Sequence, residues 1–207
     1  HELRAPLAAA RIQTQVAMLS ENADKRNHAL SQTLAGIDRS TRLVEQMLRL
    51  ARLDPLAQLA SPGKVDVAEL MHDVIAGVRD TSPTKTIEPD LEQATTIIDG
   101  DAGLLEVALR NLIDNSLRYS SPDSRITVFL RHEHGSLVIG VSDNGLGVDE
   151  EELPRLVERF YRGQEVSAEG SGLGLTIVSR IAELHGARLE LRNREEGGFE
   201  ARLCWTA

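Results

Sequence analysis

The sequence predicts an N-terminal α-helical hairpin followed by an α/β sandwich of mixed sheet and helices. Three observations carry this expectation. Between residues 27 and 52, apolar or small residues recur in alternating steps of four and three, which is a heptad pattern. A stretch containing Pro55, Pro62 and Gly63 then breaks the rhythm. Beyond it, short β-branched runs alternate with helical segments, the signature of helices layered on a sheet.

The heptad positions are Leu30, Leu34, Ile37, Thr41, Val44, Leu48 and Ala51. Leu3, Leu7, Ala10, Thr14 and Ala17 continue the rhythm ahead of a polar break at Glu21 to Lys25. Two helices joined by a short turn run antiparallel, and a pair this thin cannot bury its seam alone. Pairing with a second copy into a dimeric four-helix bundle solves that problem; packing against the remainder of its own chain is the alternative. Residues 1–56 therefore read as one domain, 57–63 as a linker and 64–207 as a second domain. In the second domain, Val65 and Val67 suggest a strand before a helix from Ala68 to Arg79, and Thr95 to Ile98 reads as another strand. Asp101 is the expected cap of a long helix ending at Tyr119. Ile126 to Arg131 and Leu137 to Val141 form an expected hairpin through His134-Gly135. A helix from Leu173 to Leu184 stops at Gly186, and strands Arg188 to Arg192 and Phe199 to Trp205 flank a turn at Gly197-Gly198.

Composition limits the function. Of the 207 residues 41% are hydrophobic and 3% aromatic, so a core can form and it is mostly aliphatic. A net charge of −9 and a pI near 5.2 argue against broad binding to nucleic acid or anionic lipid. The single Cys204 excludes an internal disulfide framework and fits a reducing compartment. No apolar run approaches the roughly 18 residues of a membrane span, so the chain as written reads as soluble. It opens on a histidine without an initiator methionine, so it is expected to be a fragment, with any membrane attachment supplied by segments absent from it.

Two regions far apart in the chain point to a nucleotide. Asn111, Asn115, Arg118 and Tyr119 fall at spacings of three and four, on one face of the helix that Asp101 opens. The amide oxygen of Asn115 is a hard, neutral donor suited to Mg²⁺, Arg118 can neutralise phosphate, and the Tyr119 ring can flank a base. A merely solvated helix face is the competing explanation. Asp143 ends an apolar strand, where its carboxylate can accept a hydrogen bond from the amine of adenine and so discriminate against guanine. Gly145 and Gly147 then let backbone approach the base closely. Asp-Asn-Gly also makes a good hairpin turn, but the segment from Leu146 to Leu156 lacks strand alternation and offers Asp149 with Glu152 as a capping box. Gly170, Gly172, Leu173 and Gly174 precede an apolar helix whose amides and positive end can receive phosphate oxygens. Arg159 and Arg162, with Phe160 and Tyr161, lie between the glycine loops and read as part of a mobile lid.

These stretches resemble a known family. His1-Glu2-Leu3-Arg4-Ala5-Pro6-Leu7 is similar to the H box of bacterial two-component sensor histidine kinases, and Asn111 to Tyr119 is similar to their N box. Asp143 to Gly147 resembles the G1 box, Glu158 to Arg162 the F box and Gly170 to Leu175 the G2 box, all in the expected order. Glu158 to Arg162 and Gly197 to Ala201 look most like the QseC and PmrB type of sensor.

The resemblance implies a dimerisation and histidine-phosphotransfer hairpin, then a Bergerat-type (GHKL) ATP-binding domain of the kind found in gyrase and MutL. It further implies ATP and Mg²⁺ as cofactors, His1 as phosphate acceptor, a response-regulator receiver domain as partner, and a place at the cytoplasmic side of the bacterial inner membrane. Neutral imidazole is available near pH 7 for such an attack, and Glu2 could orient the ring or take its proton. Pro6 removes a helix bond beside the acceptor and could bend it, unless the helix begins late enough for Pro6 to sit in its first turn. Asn111 stands where the hydrolytic relatives carry a water-activating acid, which favours phosphotransfer over an ATPase. A dimeric scaffold that binds nucleotide or regulator without turnover is the reading from a different class. One position departs from the family pattern: Ala5 replaces the Thr, Ser or Asn that positions water for dephosphorylating the regulator.

Overall fold

The computed structural model describes residues 3–52, 59, 62–79, 85–92, 96–121, 123–163 and 170–206. They form two compact units that divide after Arg52. No described helix is long and apolar enough to cross a membrane.

In the first unit, α1 (Arg4–Leu19) and α2 (Ala23–Arg52) pack side by side as a hairpin. The turn between them is shorter than the polar break predicted, because the Asn22 side chain accepts the Lys25 amide at 3.0 Å and starts α2 early. Pro6 lies in the first turn of α1, where its missing N–H costs nothing.

The seam inside this hairpin differs from the predicted one on α2. Ala29, Thr33, Gly36, Ser40 and Leu43 face inward with Ala10, Thr14 and Ala17, one residue ahead of the Leu30 series. Small side chains allow close approach: a Cβ on Gly36 would lie 3.3 Å from that of Ala10. Thr14, Thr33 and Ser40 return their hydroxyls to the carbonyls of Ala10, Ala29 and Gly36, each at 2.9 Å, so the polar atoms of the seam are satisfied. The predicted heptad remains uncovered in the single chain, with Leu30 46%, Leu34 63% and Leu48 54% exposed.

The second unit is a five-stranded sheet in the order β2-β4-β5-β7-β6 with helices on one face, and a two-stranded ribbon beside it. Its elements are β1 (Gly63–Asp66), α3 (Val67–Arg79), β2 (Thr86–Leu91), β3 (Ile97–Gly100), α4 (Ala102–Tyr119), β4 (Arg125–Glu133), β5 (Ser136–Asp143), α5 (Gly174–Leu184), β6 (Arg188–Asn193) and β7 (Phe199–Trp205). β1 pairs antiparallel with β3, β2 runs parallel to β4, and the remaining pairs are antiparallel. β2 is the element that the sequence pattern hides: it is an edge strand and carries Pro89, which an edge tolerates and a central strand does not.

Register and the two-residue strand period place Ile126, Val128, Leu130, Ile139, Val141, Ala201 and Leu203 on one face. They form a core with Met71, Val74, Ile75 and Val78 of α3, Leu105, Leu109, Leu112 and Ile113 of α4, and Ile177, Val178 and Ile181 of α5. The opposite face has a small buried cluster of Phe129, Val138 and Cys204. Ions cover it: the Arg131 guanidinium stands 4.7 Å over the Phe129 ring, and Arg202 binds Glu190 and Glu133.

α4 starts where predicted. The Asp101 carboxylate accepts the Leu104 amide at 3.1 Å. His185 joins this start to the end of α5, accepting the Asp101 amide at Nε2 (3.0 Å) while Nδ1 meets the Ile181 carbonyl (2.8 Å). That pattern requires the neutral tautomer with its proton on Nδ1. Gly186 ends α5 with φ +67, as a left-handed stop.

Candidate functional site

The polar stripe of α4 faces the glycine loop that opens α5. A Cβ on Gly174 would lie 3.2 Å from Asn111 Oδ1 and 3.4 Å from Asn115 Oδ1, so both amide oxygens converge on the first residue of α5. Asn111 donates its Nδ2 to the Val107 carbonyl at 2.8 Å, which fixes the amide and turns its oxygen toward the loop. One turn further on, a Cβ on Gly170 would lie 2.6 Å from the Tyr119 hydroxyl and 3.1 Å from an Arg118 guanidinium nitrogen. Four residues selected by spacing alone thus face one glycine loop, with the positive end of a helix opposite them.

Asp143 and the turn after it lie by the end of α4, at Ser120. Asp143 is 5% exposed at the end of the central strand. Its Oδ1 accepts the Gly145 amide at 2.9 Å and the Phe199 amide at 3.4 Å, and its Oδ2 takes no hydrogen bond among the described residues. Gly145 packs against the end of α4, where a Cβ would lie 3.5 Å from Ser120 Cα and 2.9 Å from Asp143 Oδ1. Gly147 has φ +76, and its missing Cβ makes room for Asn193.

Other selected residues behave differently. Leu173 is wholly buried and its amide goes to Ser171 Oγ (3.2 Å), so its side chain belongs to the core. Gly172 and Phe160 both adopt left-handed backbone, φ +66, and Phe160 donates its amide to the Gly172 carbonyl at 2.9 Å. Thr176 of α5 donates to the Val157 carbonyl at 2.9 Å. The segment before residue 164 is thereby pinned to α5, and residues 164–169 of the predicted lid lie outside the described residues. Arg162 is exposed. His1 and Glu2 also lie outside the described residues. Glu152, read as half of a capping box, accepts the Tyr161 hydroxyl at 2.8 Å, which holds that phenol above its ordinary pKa. The Arg155 guanidinium lies 4.2 Å over the same ring.

Two supporting residues carry no sequence signal. Lys85, just ahead of the unforeseen β2, donates from Nζ to the Leu117 carbonyl (2.6 Å), the Ser120 carbonyl (2.7 Å) and Ser120 Oγ (3.1 Å). It thereby caps the end of α4 that carries Arg118 and Tyr119. Asn193, at the end of β6, bonds both backbone groups of Val148 in the loop after Asp143.

Chemically, this face of α4 and the turn beside it offer two neutral amide oxygens at one point, a guanidinium, a phenol and a carboxylate oxygen with no protein partner among the described residues. Hard oxygen donors beside cationic groups suit a divalent cation with phosphate.

Comparison with known proteins shows the family. The model of the histidine kinase-, DNA gyrase B-, and HSP90-like ATPase family matches residues 100–206. The chain belongs to this family. The His Kinase A (phospho-acceptor) domain matches residues 1–56, and the two domains in this order make the chain a histidine kinase core. It is 43% identical to the sensor protein QseC of Escherichia coli K12 over 99% of this chain and 45% of that protein. It is 38% identical to the sensor protein kinase PmrB of Pseudomonas aeruginosa over 98% of this chain and 43% of that protein. The chain thus spans less than half the length of these curated relatives. The solved cytoplasmic segment of histidine kinase QseC superposes with a TM-score of 0.57 at 32% identity, covering 82% of this chain and 94% of that one.

Proposed function

We propose that this kinase core uses Mg–ATP to phosphorylate His1 and passes the phosphoryl group to an aspartate of a response-regulator receiver domain. The observation that carries the reading is the convergence of Asn111 and Asn115 on Gly174, with Asp143 Oδ2, by the end of α4, left without a protein partner among the described residues. ATP would lie with its adenine at Asp143 and its phosphates at the Gly170–Gly174 loop, within reach of Arg118. Asn115 would hold the Mg²⁺, with Asn111 beside it; such an ion neutralises charge on the phosphate oxygens during transfer. A ring nitrogen of His1 attacks the γ-phosphorus, the bond to the β–γ bridging oxygen breaks, and ADP leaves. Glu2 orients the imidazole or takes its proton.

In this reading residues 1–56 accept the phosphate and dimerise, 57–63 link, and 64–207 bind nucleotide. The uncovered Leu30, Leu34 and Leu48 face on α2 supports homodimerisation, since a second hairpin would bury it. Segments outside this chain would hold it at the cytoplasmic face of the inner membrane.

Incubation with γ-labelled ATP and Mg²⁺ tests the reading. Acid-labile label on the protein that disappears in His1→Ala supports it. Free phosphate without protein label would indicate an ATPase, and neither product would indicate a scaffold.

A further inference from the structure

The turn between β6 and β7 lies against the turn after Asp143, although the two are 45 residues or more apart in sequence. Asn193 treats Val148 as a strand neighbour would, accepting its amide at 2.9 Å and donating to its carbonyl at 2.6 Å. The preceding Gly147 is left-handed, φ +76, and a Cβ there would fall 2.7 Å from Asn193 Oδ1. The other end of the loop is held from the same turn. Arg194 donates to the Asp143 carbonyl at 3.2 Å, and the Phe199 amide reaches Asp143 Oδ1 at 3.4 Å. Gly198, φ +97, has to lack a side chain, since its Cβ would fall 2.0 Å from the Asp143 carbonyl oxygen.

A carboxylate anchored through Oδ1 has its rotation fixed and presents Oδ2 in one direction. Such an oxygen accepts from an exocyclic amine and repels a carbonyl oxygen, which is the difference between adenine and guanine at that edge. Anchoring therefore converts a buried carboxylate into a base reader.

We infer that Asn193 is a positioning residue for base selection: by clamping Val148 it keeps the loop after Asp143 in the one conformation in which that carboxylate favours adenine. This rests on the nucleotide-binding reading above. The clamp touches neither phosphate nor acceptor, so its loss acts on base affinity and leaves transfer from bound nucleotide alone.

The test uses the 207-residue chain and its Asn193→Ala variant, with ADP and GDP binding measured by titration calorimetry and ATP-dependent autophosphorylation measured as KM and kcat. Removing both bonds frees the loop after Asp143, so ADP is expected to weaken about tenfold, the scale of one lost hydrogen bond to a charged group, while GDP stays within about twofold. KM for ATP rises in parallel while kcat stays within about twofold. Asn193→Asp keeps the bond from the Val148 amide but sets a carboxylate oxygen against the Val148 carbonyl, so it should weaken ADP at least as much as Asn193→Ala and likewise spare GDP. It carries the test by itself should Asn193→Ala not fold. Folded variants whose ADP and GDP affinities match wild type, or fall equally, would overturn the inference, as would a drop in kcat at unchanged KM. Wild-type chain that binds neither nucleotide would instead defeat the nucleotide reading on which this rests.

Discussion

Replacing Lys85 with Met keeps the length of the stem and removes the charge, which makes it a clean perturbation of the end of α4. The Lys85 ammonium serves two carbonyls at 2.6 and 2.7 Å and one hydroxyl at 3.1 Å, all within the last turn of the helix. Charge-assisted bonds of this kind contribute about 1.5–3 kcal/mol together when water can refill part of the gap. A cation at a helix C-terminus adds about 0.3–1 kcal/mol. A loss of about 2–3 kcal/mol is therefore expected, since the lysine is only part-buried and the freed carbonyls regain some solvent. Trp205 is the chain's one tryptophan, and its indole donates to the His185 carbonyl at 2.9 Å, so its fluorescence reports on this unit during urea unfolding. With a slope of about 1–3 kcal/mol per molar urea, the midpoint should fall by roughly 1 M. Lys85→Arg should recover part of the shift. A Lys85→Met midpoint within about 0.2 M of wild type would show that the cap contributes nothing and that the end of α4 is held by packing alone.

The charges and the family pattern give further expected outcomes. Partial desolvation raises the Asp114 carboxyl above its ordinary pKa, against Arg118 and Arg110, so the ionised form is a penalty to folding that is relieved as pH falls toward that raised value. Because Asp114 is exposed, solvent screens most of that penalty, and Asp114→Asn should move the thermal midpoint at pH 7 by no more than about 2 °C; a larger shift contradicts this. The hydrogen bonds from Arg202 to Glu190 and from His132 to Glu92 lower those carboxyls, so what they contribute is present above the ordinary carboxylate range and lost as pH falls through the depressed values. Burial pushes the Cys204 thiol up to about 11, so the folded chain should resist alkylation at pH 8 and react readily in urea; equal rates would place the thiol at the surface. Ala5→Thr should increase dephosphorylation of a phosphorylated regulator, and no gain would mean that this position does not limit that step.

The fold was legible where residue chemistry and geometry coincide. Asp101 announces the start of α4 because a carboxylate there satisfies orphan amides, and Gly186 announces the end of α5 because the backbone turns left-handed. The heptad on α2 marks the face that the single hairpin leaves uncovered, whereas the inner seam one residue ahead is set by small residues such as Ala29 and Gly36 that permit close approach and leave little trace in a pattern dominated by large aliphatic side chains. β2 escaped because Pro89 and its acidic neighbours speak against a strand, and only an edge position reconciles them. On α4, spacing was enough to group Asn111, Asn115, Arg118 and Tyr119, since a helix converts spacing into a face. Nothing local could reveal Lys85 or Asn193, whose partners lie 32 to 45 residues away. Such contacts are made by topology, and composition leaves no trace of them.

The central claim is that a nucleotide occupies the groove between Asn115 and Asp143. The most direct measurement is a crystal structure of the chain with Mg²⁺ and a non-hydrolysable ATP analogue. The expected result is base density with its exocyclic amine about 3 Å from Asp143 Oδ2, and phosphate density along the Gly170–Gly174 loop. Density for a bound analogue elsewhere on the unit, with the groove filled by the protein's own side chains, would contradict it.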